Sequence, residues 1–192
     1  MPLTGTGPIL GVAMAAGAGS VDAPGIAAWI GVGDAIATWM PANLTVLPGA
    51  MVAAGVAVGG FGLYSAAAAP TLGVAMAAGA GSVDAPGITA WIGVATALVA
   101  HVVAFGQANP NAFVANPLGG PVVGAGQMQF TNPAAGPALA AGAGSVDAPG
   151  IAAWTGVGTA ILTHMAANTI VLSLGFTSPP GGGPLVGTAH IL

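Results

Sequence analysis

The chain has 192 residues, 55% of them apolar, with no Lys, no Arg and four acidic residues, for a formal charge of −4. Nucleic-acid binders neutralise phosphates with Lys and Arg, so that class is excluded, and conventional salt bridges are excluded with it. With no Cys there is neither a disulfide framework nor thiolate chemistry.

The Met1-Pro2-Leu3-Thr4-Gly5 start lacks a positive n-region and reads as a poor secretory signal. High apolarity with little charge also argues against ordinary disorder. Such a surface associates, either in an obligate assembly or in a membrane.

The string Ala-Ala-Gly-Ala-Gly-Ser-Val-Asp-Ala-Pro-Gly-Ile starts at Ala15, Ala77 and Ala140, at spacings of 62 and 63 residues. A fixed period of this kind marks one module used repeatedly. Alignment on Trp29, Trp91 and Trp154 gives modules 1–65, 66–131 and 132–192. Each opens on a Pro-led apolar segment, at Pro8, Pro70 and Pro137, which reads as a short helix ending at Gly-Ala-Gly.

Next, Asp22, Asp84 and Asp147 each precede a Pro by two residues, as helix N-caps do. The helices that follow are expected near 24–40, 86–105 and 149–167. In the first of them Ile26, Ile30, Gly33, Ala37 and Met40 share one face at helical period. Strands are expected at 44–47, 112–115 and 169–172. Second strands follow at 56–61, 122–128 and 185–190, with Gly59, Gly124 and Gly187 in register.

The fold class expected is therefore α+β, in three tandem modules of short helix, capped helix and β-hairpin. A compact pseudo-threefold arrangement, with helices inward and hairpins around them, buries each hairpin that would be marginal alone. A linear stack is the alternative, but it lacks polar terminal caps.

No residue set meets a catalytic signature, and no cofactor is expected. His101 and His164 lie ten residues after their tryptophans, where the first module has Trp39. Trp cannot ligate, so a threefold metal site fails there, and a His near a helix C-terminus pairs with free carbonyls. His190 lies on a different element. Asp22, Asp84 and Asp147 are the candidate cation ligands, with helix capping as the simpler role. Asp34 has Thr96 and Thr159 at its matching positions. Ser20, Ser82 and Ser145 read as turn or cap residues, because a Ser-His-Asp triad would need His101 or His164 to fold back. Gly-Ala-Gly-Ser lacks the Lys and the preceding strand of a phosphate loop. The repeated tryptophans read as core.

A membrane reading rests on hydropathy and small-residue helix faces. Against it stand the interrupting prolines and the lack of flanking Lys or Arg to encode orientation. An assembly reading needs only that Gly, Ala and Thr surfaces meet other subunits.

The third unit carries Ile151-Ala152-Ala153-Trp154, then Ala160-Ile161-Leu162-Thr163-His164-Met165-Ala166-Ala167-Asn168-Thr169-Ile170-Val171, then a Pro/Gly-rich hairpin ending Gly187-Thr188-Ala189. This pattern resembles small structural (virion) proteins of tailed bacteriophages and phage-like contractile particles. The shared element is a helix ending in His, two small residues and Asn ahead of a hairpin. Module 1 departs with Trp39 but keeps Asn43; module 2 keeps His101 but has Phe105 for Asn. The resemblance implies a non-enzymatic component of a tail, baseplate or capsid-associated structure. It would be located in a virion or extracellular phage-like particle, with other particle proteins or itself as partners. The alternatives are a small membrane oligomer and a secreted self-assembling surface or fibre protein.

Overall fold

The computed structural model describes residues 3, 5–47, 51–52, 56–57, 61–65, 69–109, 113–114, 118–145, 147–181 and 185–192. The expected strand residues 58–60, 112 and 115 and the module boundary at 66 lie outside them. The fold is α+β, with helices and two antiparallel sheets among the described residues.

Three short helices alternate with three long ones. They are α1 (Gly7–Ala18), α2 (Ala23–Asn43), α3 (Ala69–Ala80), α4 (Ala85–Phe105), α5 (Gly136–Ala143) and α6 (Ala148–Asn168). Each short helix turns back into the next long one through the repeated string. Gly19 and Gly144 close α1 and α5 at φ 74° and 73°, with Gly81 at φ 73° after α3. This left-handed geometry is open to Gly without a Cβ penalty. Ser20, Ser82 and Ser145 donate their N–H to Ala15, Ala77 and Ala140 carbonyls at 2.9 Å, and each Gly donates one residue inside that bond. This is the Schellman closure, and it satisfies carbonyls the helix end would otherwise leave bare.

The long helices start on the aspartates. The Asp22 and Asp84 carboxylates each accept from a Gly N–H, of Gly25 and Gly87, at 3.3 Å. Asp147 has the same extended N-cap backbone without a side-chain cap bond. Asp22→Ala and Asp84→Ala are therefore expected to cost about 1 kcal/mol each, and Asp147→Ala less. Urea denaturation of the three variants checks the order.

The helices close into a cycle. α1 packs on α2, α2 on α3, α3 on α4, α4 on α5, α5 on α6, and α6 on α1. A linear stack would leave α1 and α6 apart, so that alternative is excluded. The closest helix contacts between modules are backbone on backbone: Gly31 faces Gly79, Gly93 faces Gly142, and Gly156 faces Gly17. A Cβ at any of these six would overlap the opposing main chain.

Four levels of side chains fill the bundle, at the same helix positions in each module. Half-buried Trp29, Trp91 and Trp154 come first. Below them lie Val32, Val94 and Val157, then Ile36, Leu98 and Ile161, then Met40, Val102 and Met165, all buried. The steps of three and four residues keep one face of each helix inward. On the shared face of α2, Gly33, Ala37 and Met40 are buried and Ile26 and Ile30 half-buried, and the Ile30 and Gly33 backbone packs on Gly11 of α1. α2 is apolar nearly all round, so periodicity had little contrast to report.

The long helices run three residues past the expected stop in α2, through Pro41 to Asn43, about 31 Å along the axis. Strands then begin at once: β1 (Leu44–Val46), β5 (Gly106–Ala108) and β9 (Ile170–Leu172). With β2 (Met51–Val52), β3 (Val56–Ala57), β4 (Phe61–Ser65), β6 (Phe113–Val114), β7 (Gly120–Pro121), β8 (Val123–Phe130), β10 (Phe176–Ser178), β11 (Val186–Gly187) and β12 (Ala189–His190), each module builds an antiparallel hairpin.

The hairpins do not surround the helices, as expected, but pair with one another. The returning arm of module 1 pairs with the outgoing arm of module 2, β4 on β5 and β3 on β6. Module 2 meets module 3 likewise, β8 on β9 and β7 on β10. β12 of module 3 pairs with β1, Thr45 opposite His190. Ile170 and Leu192 exchange backbone bonds of 3.2 and 2.9 Å, closing β9 onto the last arm. The circuit β1–β4–β5–β8–β9–β12 thus continues the bundle at the C-terminal ends of its long helices. Arms of two or three residues gain stability from this mutual pairing that a lone hairpin lacks.

Thr169, at the turn from α6 into β9, is fully buried, and its hydroxyl finds no partner among the described residues. Module 1 has buried Leu44 at the matching junction. Thr169→Val is expected to stabilise the protein by about 1 kcal/mol, read as an upward shift of the denaturation midpoint.

Candidate functional site

The repeated string assembles the turns at one end of the bundle. Ser20 and Ser82 use their hydroxyls to accept the indole N–H of Trp29 and Trp91, at 3.1 and 3.3 Å. The nine-residue Ser-to-Trp spacing in the sequence was the available signal for this bond. The three indoles meet edge to face, with centroids 5.9, 6.0 and 6.2 Å apart and interplanar angles of 75–80°. That geometry aims a positive ring edge at a negative ring face.

Asp22, Asp84 and Asp147 are exposed at these turns. Among the described residues no group of three His, Asp or Glu side chains could hold an ion together. His164 lies seventeen positions after Asp147 on one helix, about 25 Å along the axis, so the serine turns and the imidazoles stand at opposite ends.

At the far ends of the long helices, Trp39, His101 and His164 each reach into the next module. The Trp39 indole donates to the Thr71 hydroxyl at 2.8 Å, and His101 Nε2 pairs with the Asn132 carbonyl oxygen at 2.8 Å. His164 Nε2 meets the Thr6 hydroxyl at 2.7 Å, which itself donates to the Leu3 carbonyl at 2.6 Å. The third contact joins module 3 back to module 1. Asn43 and Asn168 donate to the carbonyls of Trp39 and His164 at 2.8 and 2.9 Å. Phe105, where Asn is missing, instead lies against the His101 ring at 4.7 Å. The variable helix end therefore ties each module to the next. The sequence suggested the simpler role of pairing with free carbonyls of the helix's own end.

These bonds assign the His164 tautomer. Thr6 has given its proton to Leu3, so it accepts from Nε2–H, which leaves Nδ1 bare and facing Asn168 Nδ2 at 3.4 Å. Burial pushes the His164 pKa below its ordinary value. Protonation would also set N–H against N–H at Asn168. In the unfolded chain the same group titrates near 6.5. Its contribution to stability is therefore full above that pH and is lost as pH falls toward the lower folded pKa. The difference in unfolding free energy between wild type and His164→Gln, followed from pH 8 to 5 by urea titration, should shrink on the acid side.

A groove of 570 Å³ lies between α2 and α3, lined by Gly31, Ala35, Thr38, Trp39 and Ala75 among others, with Asp34 at its edge. Asp34 also abuts Gly7 at the start of α1, where a carboxylate complements the positive helix end. Sequence reasoning placed Asp34 in mid-helix and foresaw no groove. A smaller pocket of 190 Å³ lies between α6 and the end of β8, against Phe130, Leu162 and Thr163. Neither brings together an acid, a base and a nucleophile. The chain matches no protein-family model, no curated protein and no solved structure.

Proposed function

We propose that the chain is a non-enzymatic structural subunit of a phage or phage-like particle, acting through subunit packing, with its three modules set around a pseudo-threefold axis. The observation that carries this reading is the character of the outer wall. Ile9, Val12 and Val74 are more than half exposed on α1 and α3, and Asp34 is the one carboxylate on the bundle wall beyond the turns. Several exposed threonines of the long helices satisfy themselves: Thr96 donates to the Ile92 carbonyl at 2.8 Å, Thr155 to Ile151 at 2.7 Å and Thr159 to Thr155 at 2.8 Å. Hydroxyls bonded in this way can be covered by a dry neighbour at little desolvation cost. The near-equal tryptophan separations and the three equivalent module junctions support the pseudo-threefold axis. One chain of this kind can occupy a position where a homotrimer would otherwise sit. The likeness to virion proteins at His164 and Asn168 points the same way.

A small membrane oligomer is the second reading. α4 is long and apolar enough to cross a membrane by length and composition, at mean hydropathy 2.0. Sedimentation separates the two. Co-sedimentation with a large particle in lipid-free buffer is the expected result. Recovery only with lipid, and dispersal only in detergent, would overturn the particle reading.

A further inference from the structure

Three matching bonds join the modules into a cycle, and acid acts on them differently. The Trp39 indole, on Thr71, does not titrate. His101 Nε2 faces the Asn132 carbonyl, which only accepts, and the ring lies against Phe105. A proton added to that ring keeps the N–H bond to the carbonyl and strengthens it. At His164 a proton must enter at Nδ1, since Nε2–H is already given to Thr6, and Nδ1 faces the Asn168 amide N–H. Asn168 cannot turn its oxygen to the ring without setting it against the His164 carbonyl, to which its N–H donates at 2.9 Å. Burial opposes charge at both histidines, but only His164 adds N–H against N–H, on a ring 8% exposed.

What His164 holds is the Leu3–Thr6 turn at the start of module 1. Thr6 donates its hydroxyl and its N–H to the Leu3 carbonyl, at 2.6 and 3.1 Å, so the turn is a unit by itself. Leu3 is fully buried and Thr6 nearly so. The elements in broad contact with α6, which are α1, α5 and β8, carry no acid or base, and neither does β9. Asp34 of α2 abuts Gly7, next to Thr6, and its charge favours an imidazolium that stays. His101 belongs to the neighbouring junction and His190 to β12, opposite Thr45. The other aspartates stand at the far end of the bundle, on the serine turns.

We propose that the Leu3–Thr6 turn is an acid-released latch, held on α6 by neutral His164 and freed when the protonated ring turns out to water, while the Trp39 and His101 junctions stay closed. Burial lowers the His164 pKa in the closed state, and the ring in water titrates near 6.5. Release therefore takes up a proton between those two values, and the open fraction rises about ten-fold per pH unit within that window. Above it the latch is fully held. The cycle of modules thus has one seam that acid opens, where module 3 meets module 1.

The chain has no Cys, so a Leu3→Cys variant carries a single thiol at the buried end of the latch. Its labelling by dithiodipyridine, relative to the same variant unfolded in urea at each pH, is followed from pH 8 to 5. The expected result is a rise of about ten-fold per unit below about 6.5, levelling off in acid. Adding His164→Gln should flatten the profile, because Gln keeps an N–H for Thr6 and does not titrate. Adding His101→Gln, His190→Gln or Asp34→Asn should leave the rise in place. A thiol placed by Leu72→Cys, buried in α3 at the Trp39 junction, should stay protected throughout. A flat profile at position 3, a rise that survives His164→Gln or vanishes with one of the other three substitutions, or an equal rise at position 72 would each overturn the proposal. A second readout needs no substitution: nitrogen NMR of the imidazoles and amide exchange in the unaltered protein. The His164 imidazolium should appear together with faster exchange of the Thr6 amide. An imidazolium signal from His164 while that amide stays as protected as at pH 8 would put the charged ring inside a closed latch and overturn it.

Discussion

Replacing Trp29, Trp91 or Trp154 by alanine is expected to cost about 3 kcal/mol at each position, the lower part of the range for a buried aromatic, because the rings are half-buried. Each indole loses two edge-to-face neighbours about 6 Å away. Trp29 and Trp91 also lose the serine bond that satisfies their N–H. The ring fills the space between three long helices, and none of the small residues around it can collapse into the gap. Costs of similar size, with that at Trp154 the smallest because only Trp29 and Trp91 carry a serine bond among the described residues, are the signature of equivalent surroundings. The double variant Trp29→Ala, Trp91→Ala should show a coupling of about 0.5–1.5 kcal/mol, the worth of an aromatic pair beyond its area. Equilibrium urea unfolding of the full chain reads all of these. A loss under about 1 kcal/mol at one position would mean that its ring does not belong to the cluster.

The second large effect lies at the module junctions. Gly79→Ala is expected to destabilise by about 3 kcal/mol, because the new methyl meets the Gly31 main chain, which has no rotamer with which to yield. Close packing of two helix backbones offsets the roughly 1 kcal/mol that each helical Gly costs in propensity, and a methyl removes that compensation. Gly142→Ala should do the same against Gly93, and Gly17→Ala against Gly156, where the last module meets the first. Gly62→Ala is the control: it lies in β4 with open space around it, and its effect should stay within about 0.5 kcal/mol. Thermal unfolding of the four variants gives the ranking. A Gly79→Ala protein as stable as wild type would show that the helices do not approach this closely.

The modules and their internal order were legible in the sequence because the signals are local. The string repeats without change, Pro marks each helix start, and Asp and Gly mark the cap and the turn. The inward face of the long helices was not legible in full. In Ala-Pro-Gly-Ile-Ala-Ala-Trp-Ile-Gly-Val-Gly almost every position is apolar, so Trp29 and Val32 do not stand out from Ile26 and Ile30. Strand pairing was hidden for a different reason. Arms such as Leu44–Val46 and Gly106–Ala108 are too short to carry a register, and one of the two partners of each comes from another module. Among the candidate residues, the aspartates could be placed at helix starts from the Pro that follows. The serine-to-indole bond and the ties at Trp39, His101 and His164 needed the fold, because each joins residues whose proximity depends on how helices pack.

The closed strand circuit has a consequence for how this chain meets its neighbours. Open sheets expose unpaired N–H and C=O groups along their edges, and an apolar chain with such an edge is a template for fibrils. Here each arm of the circuit is engaged on both sides, by β12 and β4 around β1 and by β4 and β8 around β5. Within the circuit the backbone ladders are thus spent inside the molecule, and any association along it falls to side chains. The strands that pair on one side only, β2, β7 and β11, are two residues each and offer little of such a template.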